Sequence, residues 1–364
     1  MKKNIFSEKN DIEGKPIFKD ESVFYPDYFP MSIPSREPQI KELTYLLKPL
    51  LQQKKANNIL IYGPPGTGKT LTTNFVLKEL CEYSAKAKFV YINVIKENTR
   101  VAVLSKIVSF LGGILPRRGL AIDEILSRAQ ELFSKSDSSP IIILDEIDKM
   151  NAEETSKLLY DLSRFNSGKK YFTIILVTNY KSCVLELDKR TQSTLFLSDL
   201  EFPKYKPQDI KLILKERIEF GLVPGSISED LVGYVAGFSA GRGGDARIAI
   251  DLLYKAGKNT EKQGQPEITK EILLSSARLV DSVKLSEKIR YLLPEEYDVL
   301  LSIEDGIDVS TLYSKFKLSE RTIRRYIENL EKLELIKIES YRIGKGEKRR
   351  ISLRVDPELL KKRD

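Results

Sequence analysis

The chain has 364 residues, more than one ordinary hydrophobic core accommodates and enough for two or three domains. Its 41% hydrophobic and 31% charged residues fit a soluble globular protein, and no run approaches the ~20 apolar residues of a membrane span. There is no histidine and only Cys81 and Cys183, which excludes zinc fingers, Ser-His-Asp triads and Cys-His nucleophile pairs.

In chain order, the opening MKKNIFSEKNDIEGK lacks the apolar run of a secretory signal, so a cytoplasmic or nucleoid-associated location is expected. Residues 1–40 form a polar, proline-punctuated lead-in to a helix from about Pro38. Within 41–203, NNILIYGPPGTGKTLTTNFVLKEL reads as strand, glycine loop and helix, and KFVYINV as a second strand. A helical insertion at about 100–120 is broken by Gly112-Gly113 and by Pro116 to Gly119, and another helix covers about 121–134. SSPIIILDEIDKM is a strand covered on both faces; a helix at 152–165 and the strand YFTIILVTN follow. This alternation argues for a parallel α/β sheet. After Pro203 the strands stop, and helical patterns at 207–221, 228–237, 245–257 and 267–283 make 204–284 an all-α domain. Residues 285–364 return to helices and then a β-ribbon around Gly344-Lys345-Gly346. Nearly all of the net charge lies here: residues 311–364 hold 16 Lys/Arg against 9 Asp/Glu, a local excess of 7 in a total of +8. Such a segment on a near-neutral body suggests a polyanion partner, against the blander reading of a solvated basic tail.

Gly63-Pro64-Pro65-Gly66-Thr67-Gly68-Lys69-Thr70 matches G-x-x-x-x-G-K-[ST] between a strand and a helix that continues through Leu71. Glycines let successive N–H groups converge on phosphates at a helix N-terminus. Lys69 brings a positive charge to the β- and γ-phosphates, and the Thr70 hydroxyl ligates Mg²⁺. The expected cofactors are ATP or ADP with Mg²⁺. An acidic pair at the end of a buried strand is costly unless it meets a cation, which places Asp145 beside Mg²⁺ and its waters. Glu146 is then placed to orient or deprotonate the attacking water. An acidic helix cap is the alternative for that pair, and a turn-forming Asn for Asn179, which ends the next strand.

In the C-terminal segment, Ser319 caps a helix through about Leu333 whose apolar positions Ile323, Tyr326, Ile327 and Leu330 share one face. A shorter helix at about 309–316 and the turn before Ser319 complete helix-turn-helix patterning. In such folds Ser319, Arg321, Thr322, Arg324 and Arg325 are placed to reach base edges or phosphates in the major groove. Arg342, Lys345, Gly346, Lys348 and Arg349 belong to a β-hairpin wing along backbone or minor groove. A winged helix used for protein contact is the competing reading.

GPPGTGKT, ILDEID, a strand-terminal Asn and GGDARIAIDLL together resemble the AAA+ ATPases. The resemblance implies that Asn179 is the first sensor and that Arg247 is the second, reaching the γ-phosphate from the helical lid. The family's Ser-Arg pair near the end of LDKRTQSTLFLSDLEFPKY is replaced here by Ser193-Thr194, leaving Arg190 as the candidate arginine finger. Three further segments are similar to archaeal replication initiators, relatives of the eukaryotic origin recognition complex and its helicase-loading partner. They are VFYPDYFPMSIPSREPQI, TRVAVLSKIVSFLGGILPRRGLAIDEIL and SERTIRRYIENLEKLELI, and the likeness runs from Phe18 to Leu353. It implies an α/β P-loop AAA+ core, an all-α lid and a C-terminal winged helix. It also implies an ATPase that binds double-stranded origin DNA and helps recruit or load the replicative helicase, with a paralogous initiator as a further partner. The domain layout, with a nucleotide clamped between core and lid, adds the expectation of slow turnover used as a switch. Carried onto this chain, Arg117 and Arg118 contact DNA from the insertion, and Tyr28 and Ile33 flank the adenine. Rival readings are a nucleotide-switched transcriptional regulator and a protein-docking adaptor with the same modules.

Overall fold

A computed structural model describes residues 16–116, 120–136, 139–167, 170–290, 292–303, 307–316, 318–333, 335–343, 346–354 and 360. The chain parts into two compact units, Met1–Thr269 and Lys270–Asp364.

The first unit is organised by a parallel five-stranded sheet. Its strands are β1 (Asn58–Tyr62), β2 (Phe89–Asn93) and β3 (Ile141–Asp145), then, after a two-residue ladder of β4 (Asn166–Ser167) and β5 (Lys170–Tyr171), β6 (Thr173–Thr178) and β7 (Leu197–Glu201). The order is β2-β3-β6-β1-β7. Every residue of β3 and β6 is buried because helices cover both faces. Alternation divides β3: Ile142 and Leu144 enter one apolar cluster with Val103, Leu104, Ile107, Phe133 and Leu158. Ile141 and Ile143 enter the other, with Leu43, Leu47, Val76 and Leu77. The helices supplying these side chains are α1 (Glu37–Leu47), α2 (Lys69–Tyr83), α3 (Arg100–Phe110), α4 (Ile122–Lys135) and α5 (Ala152–Ser163). β7 was not expected as a strand. At the sheet edge it buries Leu200 alone, so it carries almost no apolar signal.

This topology positions the site. β6 lies between β1 and β3, so the residue after β6, Asn179, stands between the loop leaving β1 and the carboxylate ending β3.

Past the short helices α6 (Ser182–Leu185) and α7 (Lys189–Leu195), three longer ones build the lid: α8 (Pro207–Gly221), α9 (Glu229–Ala240) and α10 (Ala246–Lys262). Pro207 opens α8, while Ser228 and Asp245 cap α9 and α10 through side-chain oxygens. The lead-in is more structured than an extended approach. The Lys19 and Asp20 N–H groups donate to the Gly221 carbonyl at 2.8 and 3.1 Å, and Val223 N–H donates to Ile17 O at 2.9 Å. Glu261 Oε1 accepts from Ile17 N at 3.1 Å, and the 3₁₀ turn Glu21–Phe24 follows. The Phe18 and Phe24 rings fill the space that side chains at Gly257 and Gly221 would need. Thus the lead-in is docked on the lid before it enters the core.

The second unit contains α11 (Lys270–Arg290), α12 (Pro294–Leu301), β8 (Ile307–Asp308), α13 (Val309–Lys315), α14 (Glu320–Lys332), β9 (Ile336–Ile343) and β10 (Gly346–Leu353). β10 pairs antiparallel with β9 and β8, giving the small sheet of a winged helix around a core that includes Leu312, Ile323, Ile327, Leu330, Ile336 and Ile351. α11 runs unbroken through the boundary expected at 284/285, and the units part earlier, at Thr269. Among the described residues no helix is long and apolar enough to cross a membrane.

Candidate functional site

The loop after β1 turns through left-handed glycines, with φ of +68° at Gly66 and +84° at Gly68, the residue that opens α2. At Gly66 a Cβ would fall on the Asp245 carboxylate, so only glycine lets the lid approach the loop there. Ala246 N–H then donates to Gly66 O at 3.2 Å. Lys69 is buried, and its ammonium donates to Gly63 O at 2.7 Å, Pro64 O at 2.9 Å and Asn179 Oδ1 at 3.0 Å. Burial pushes its pKa down to about 8, although Asp145 pulls the other way. Thr70 Oγ1 donates to Asp145 Oδ2 at 2.7 Å, Tyr91 OH donates to the same oxygen at 2.7 Å, and Glu146 N–H donates to Oδ1 at 2.9 Å. Glu146 sits at a left-handed φ of +59°, a conformation that a residue without β-branching tolerates at local cost.

These groups open onto a cavity of about 960 Å³ between sheet and lid. Pro65, Gly66, Thr67, Gly68, Lys69, Thr70 and Leu71 line it, together with Asp145, Glu146, Asn179 and Arg247. Tyr28 and Ile33, from the lead-in, form part of the opposite wall. Gly63 and Pro64, expected to touch the cofactor, do not line the cavity; their carbonyls hold the Lys69 ammonium from behind. Arg247 is exposed and pairs with Asp245, Nε to Oδ1 at 3.1 Å and a terminal nitrogen to Oδ2 at 2.9 Å. That hydrogen-bonded carboxylate raises the guanidinium pKa.

Several supports for this site have no local signature in the sequence. Asp148 Oδ1 accepts from Thr178 Oγ1 at 3.1 Å and from Asn179 N at 3.3 Å, fixing the end of β6. Burial raises the Asp148 pKa, but hydrogen bonds from Lys149, Asn179 and Thr178 outweigh it and leave the carboxyl below its usual range. Arg36 is buried and donates to Thr67 O at 2.9 Å and Pro203 O at 2.7 Å, its guanidinium 3.8 Å from the Tyr205 ring centre. A desolvated cation–π contact of this kind contributes about 2 kcal/mol. On the lid, Arg217 lies 4.2 Å over the Tyr28 ring and donates to the Val23 carbonyl.

In the second unit, Ile323, Tyr326, Ile327 and Leu330 of α14 are buried, while Arg321, Arg324 and Arg325 are exposed. Ser319 Oγ accepts from Thr322 N–H at 3.2 Å and lies 2.8 Å from the Thr322 hydroxyl, so both side chains serve the helix start.

An AAA domain is matched over residues 52–182, and a Cdc6 AAA+ ATPase-type lid domain over 211–276. An ORC1-type DNA replication protein of Sulfurisphaera tokodaii is 31% identical, covering 99% of this chain and 96% of the relative. The counterpart from Pyrococcus abyssi is 30% identical, over 95% and 89% respectively. The chain belongs to the archaeal ORC1/Cdc6-type replication initiators of the AAA+ class. Among solved structures, the Aeropyrum pernix ORC1 protein in complex with DNA superposes with a TM-score of 0.74 at 28% identity, over 95% of this chain and 96% of that one. Cdc6p from Pyrobaculum aerophilum gives 0.65 at 25% identity, over 95% and 99%.

As an ORC1/Cdc6-type protein, the chain carries the P-loop ATPase domain of its family, which binds ATP or ADP. Arg190 is exposed on α7, 5.7 Å from the Tyr160 ring, and does not line the cavity of its own chain. Arg117, Arg118 and Lys345 lie outside the described residues. For Arg342, Gly346 and Lys348 only the strand register is described: Arg342 pairs with Glu347, Ile343 with Gly346 and Tyr341 with Lys348. Arg349, opposite Ser340, is exposed.

Proposed function

We propose that this initiator binds double-stranded origin DNA through α14 and its wing, under the control of a nucleotide held between core and lid. The observation that carries the reading is the division of α14: four apolar side chains are buried and three arginines are exposed in its first two turns. It agrees with full-length kinship to ORC1-type replication proteins and with the likeness to an ORC1 protein bound to DNA.

In the nucleotide site, the loop amides and Lys69 bind the β- and γ-phosphates, and Tyr28 and Ile33 flank the base. Thr70 and Asp145 present only oxygen, 2.7 Å apart, a donor set that suits Mg²⁺. Bound there, the cation supplies charge neutralisation on the phosphates. Glu146 orients water, Asn179 monitors the γ-phosphate while holding Lys69, and Arg247 exchanges Asp245 for that phosphate. Because Arg247 belongs to the lid, this exchange makes core–lid geometry depend on the nucleotide. Turnover is slow in this scheme and acts as a switch; recruitment of the replicative helicase and pairing with a paralogous initiator belong to the same reading.

Footprinting on genomic fragments, with ATP or ADP and across a salt series, tests it. Discrete protected repeats are expected. In an Arg324→Ala/Arg325→Ala variant, affinity falls and the log–log salt slope becomes shallower by about 2, one step per lost phosphate contact. Equal protection of all sequences, or a slope unchanged in the variant, rejects α14 as the reading surface; promoter-only protection favours a transcriptional regulator.

A further inference from the structure

The carboxylate of Asp145 is held from three directions, and one of its partners has no place in the nucleotide chemistry. Thr70 and Tyr91 both donate to Oδ2 at 2.7 Å, and the Glu146 amide donates to Oδ1 at 2.9 Å. Tyr91 does not line the cavity, so its phenol reaches the site through Asp145. Register explains how it reaches: Asn93 of β2 lies opposite Asp145 and Tyr91 opposite Ile143, so the phenol spans one diagonal step between parallel strands. Its ring packs with Phe89 against the apolar cluster beneath α1 and α2, which fixes the hydroxyl from below. A half-buried tyrosine can turn its hydroxyl to water; this one spends it on the charged oxygen already shared with Thr70.

We infer that Tyr91 is a positioning residue for the cation side of the nucleotide site, acting through Asp145. The phenol keeps Oδ2 in the plane that lets Thr70 donate its proton to the carboxylate while turning a lone pair toward Mg²⁺. Without it, Oδ2 keeps Thr70 as its one remaining donor, and that hydroxyl must both hold this oxygen and face the cation. The inference rests on the magnesium–nucleotide reading proposed above.

The test is the Mg²⁺ dependence of fluorescent ADP binding by the full chain, measured against binding in EDTA. Tyr91→Phe keeps the ring and should raise the Mg²⁺ concentration at half effect roughly tenfold, with EDTA binding and melting temperature unchanged. In an Asp145→Asn background the same substitution should add nothing, since its route is gone. Equal Mg²⁺ dependence in wild type and Tyr91→Phe overturns the role of Tyr91 alone. A loss of the same size in EDTA overturns it too, showing that Tyr91 merely shapes the fold. If the wild type shows no Mg²⁺ dependence at all, the proposed cation site fails together with the inference.

Discussion

The nucleotide cavity and the surface of α14 use positive charge in opposite ways. Lys69 is buried, tied to two carbonyls and Asn179, and already shifted by its surroundings. Arg321, Arg324 and Arg325 are exposed, on a helix whose other face is core. The first arrangement reads shape at short range, where a displaced atom leaves a buried partner unmet. The second attracts at long range, where salt screens and redundancy protects. The contrast teaches that one chain can separate a precise pocket from a tolerant surface, and it makes each region answer to a different perturbation.

The largest expected effect breaks the cavity alone. Lys69→Ala should weaken ATP binding by on the order of 100-fold, because a buried charge-assisted contact is lost and Asn179 keeps no donor. Isothermal titration checks the affinity, and the salt slope of DNA binding should not move. A simultaneous loss of that slope would show that the two regions are not separable.

A second test titrates the contrast. The Lys69 ammonium loses its proton near pH 8 in the free protein, far below an ordinary lysine. Phosphate binding requires the charged form, so below that pH the affinity is flat. Above it the affinity should fall by up to about tenfold per pH unit, with proton uptake on binding. Arginines stay charged throughout, so DNA affinity should be level over the same range. Parallel titrations from pH 7 to 10 decide it; a flat nucleotide profile refutes the shifted lysine.

The smallest effect sharpens the comparison at Arg247, which is exposed like the α14 arginines yet faces the cavity. Asp245→Asn preserves the helix cap and removes the competing carboxylate. ATP should gain about two- to fivefold over ADP, the range of an exposed ion pair. An unchanged ATP/ADP ratio means that Arg247 does not exchange partners.

What could be read from the sequence divides along similar lines. The phosphate loop, Asp145 and the buried face of α14 are legible because their chemistry lies within a few consecutive residues, or within one helical period. Tyr91, Asp148, Arg36 and Arg217 were invisible for the converse reason. Their partners Asp145, Asn179, Thr67 and Val23 lie 31 to 194 residues away and are brought close only by the sheet order and the lid. β7 was missed because an edge strand with one buried residue has no periodicity to detect. Asp245 beside Arg247 was in plain view, but only the bidentate geometry reveals that the arginine already has an anion.

The docked lead-in carries a consequence for how this protein is made. Ile17 and Phe18 leave the ribosome ahead of the core, yet their partners are Val223 and Glu261, more than two hundred residues later. At roughly 5–20 residues per second, that wait is on the order of ten to fifty seconds. The sheet, the loop at Gly66 and the β3 carboxylate can all assemble in the meantime, but the wall bearing Tyr28 and Ile33 cannot. If Tyr28 and Ile33 flank the base as proposed, the nascent chain passes through a stage with phosphate-binding groups and no seat for the base, and only completion of the lid turns that half-site into a selective one.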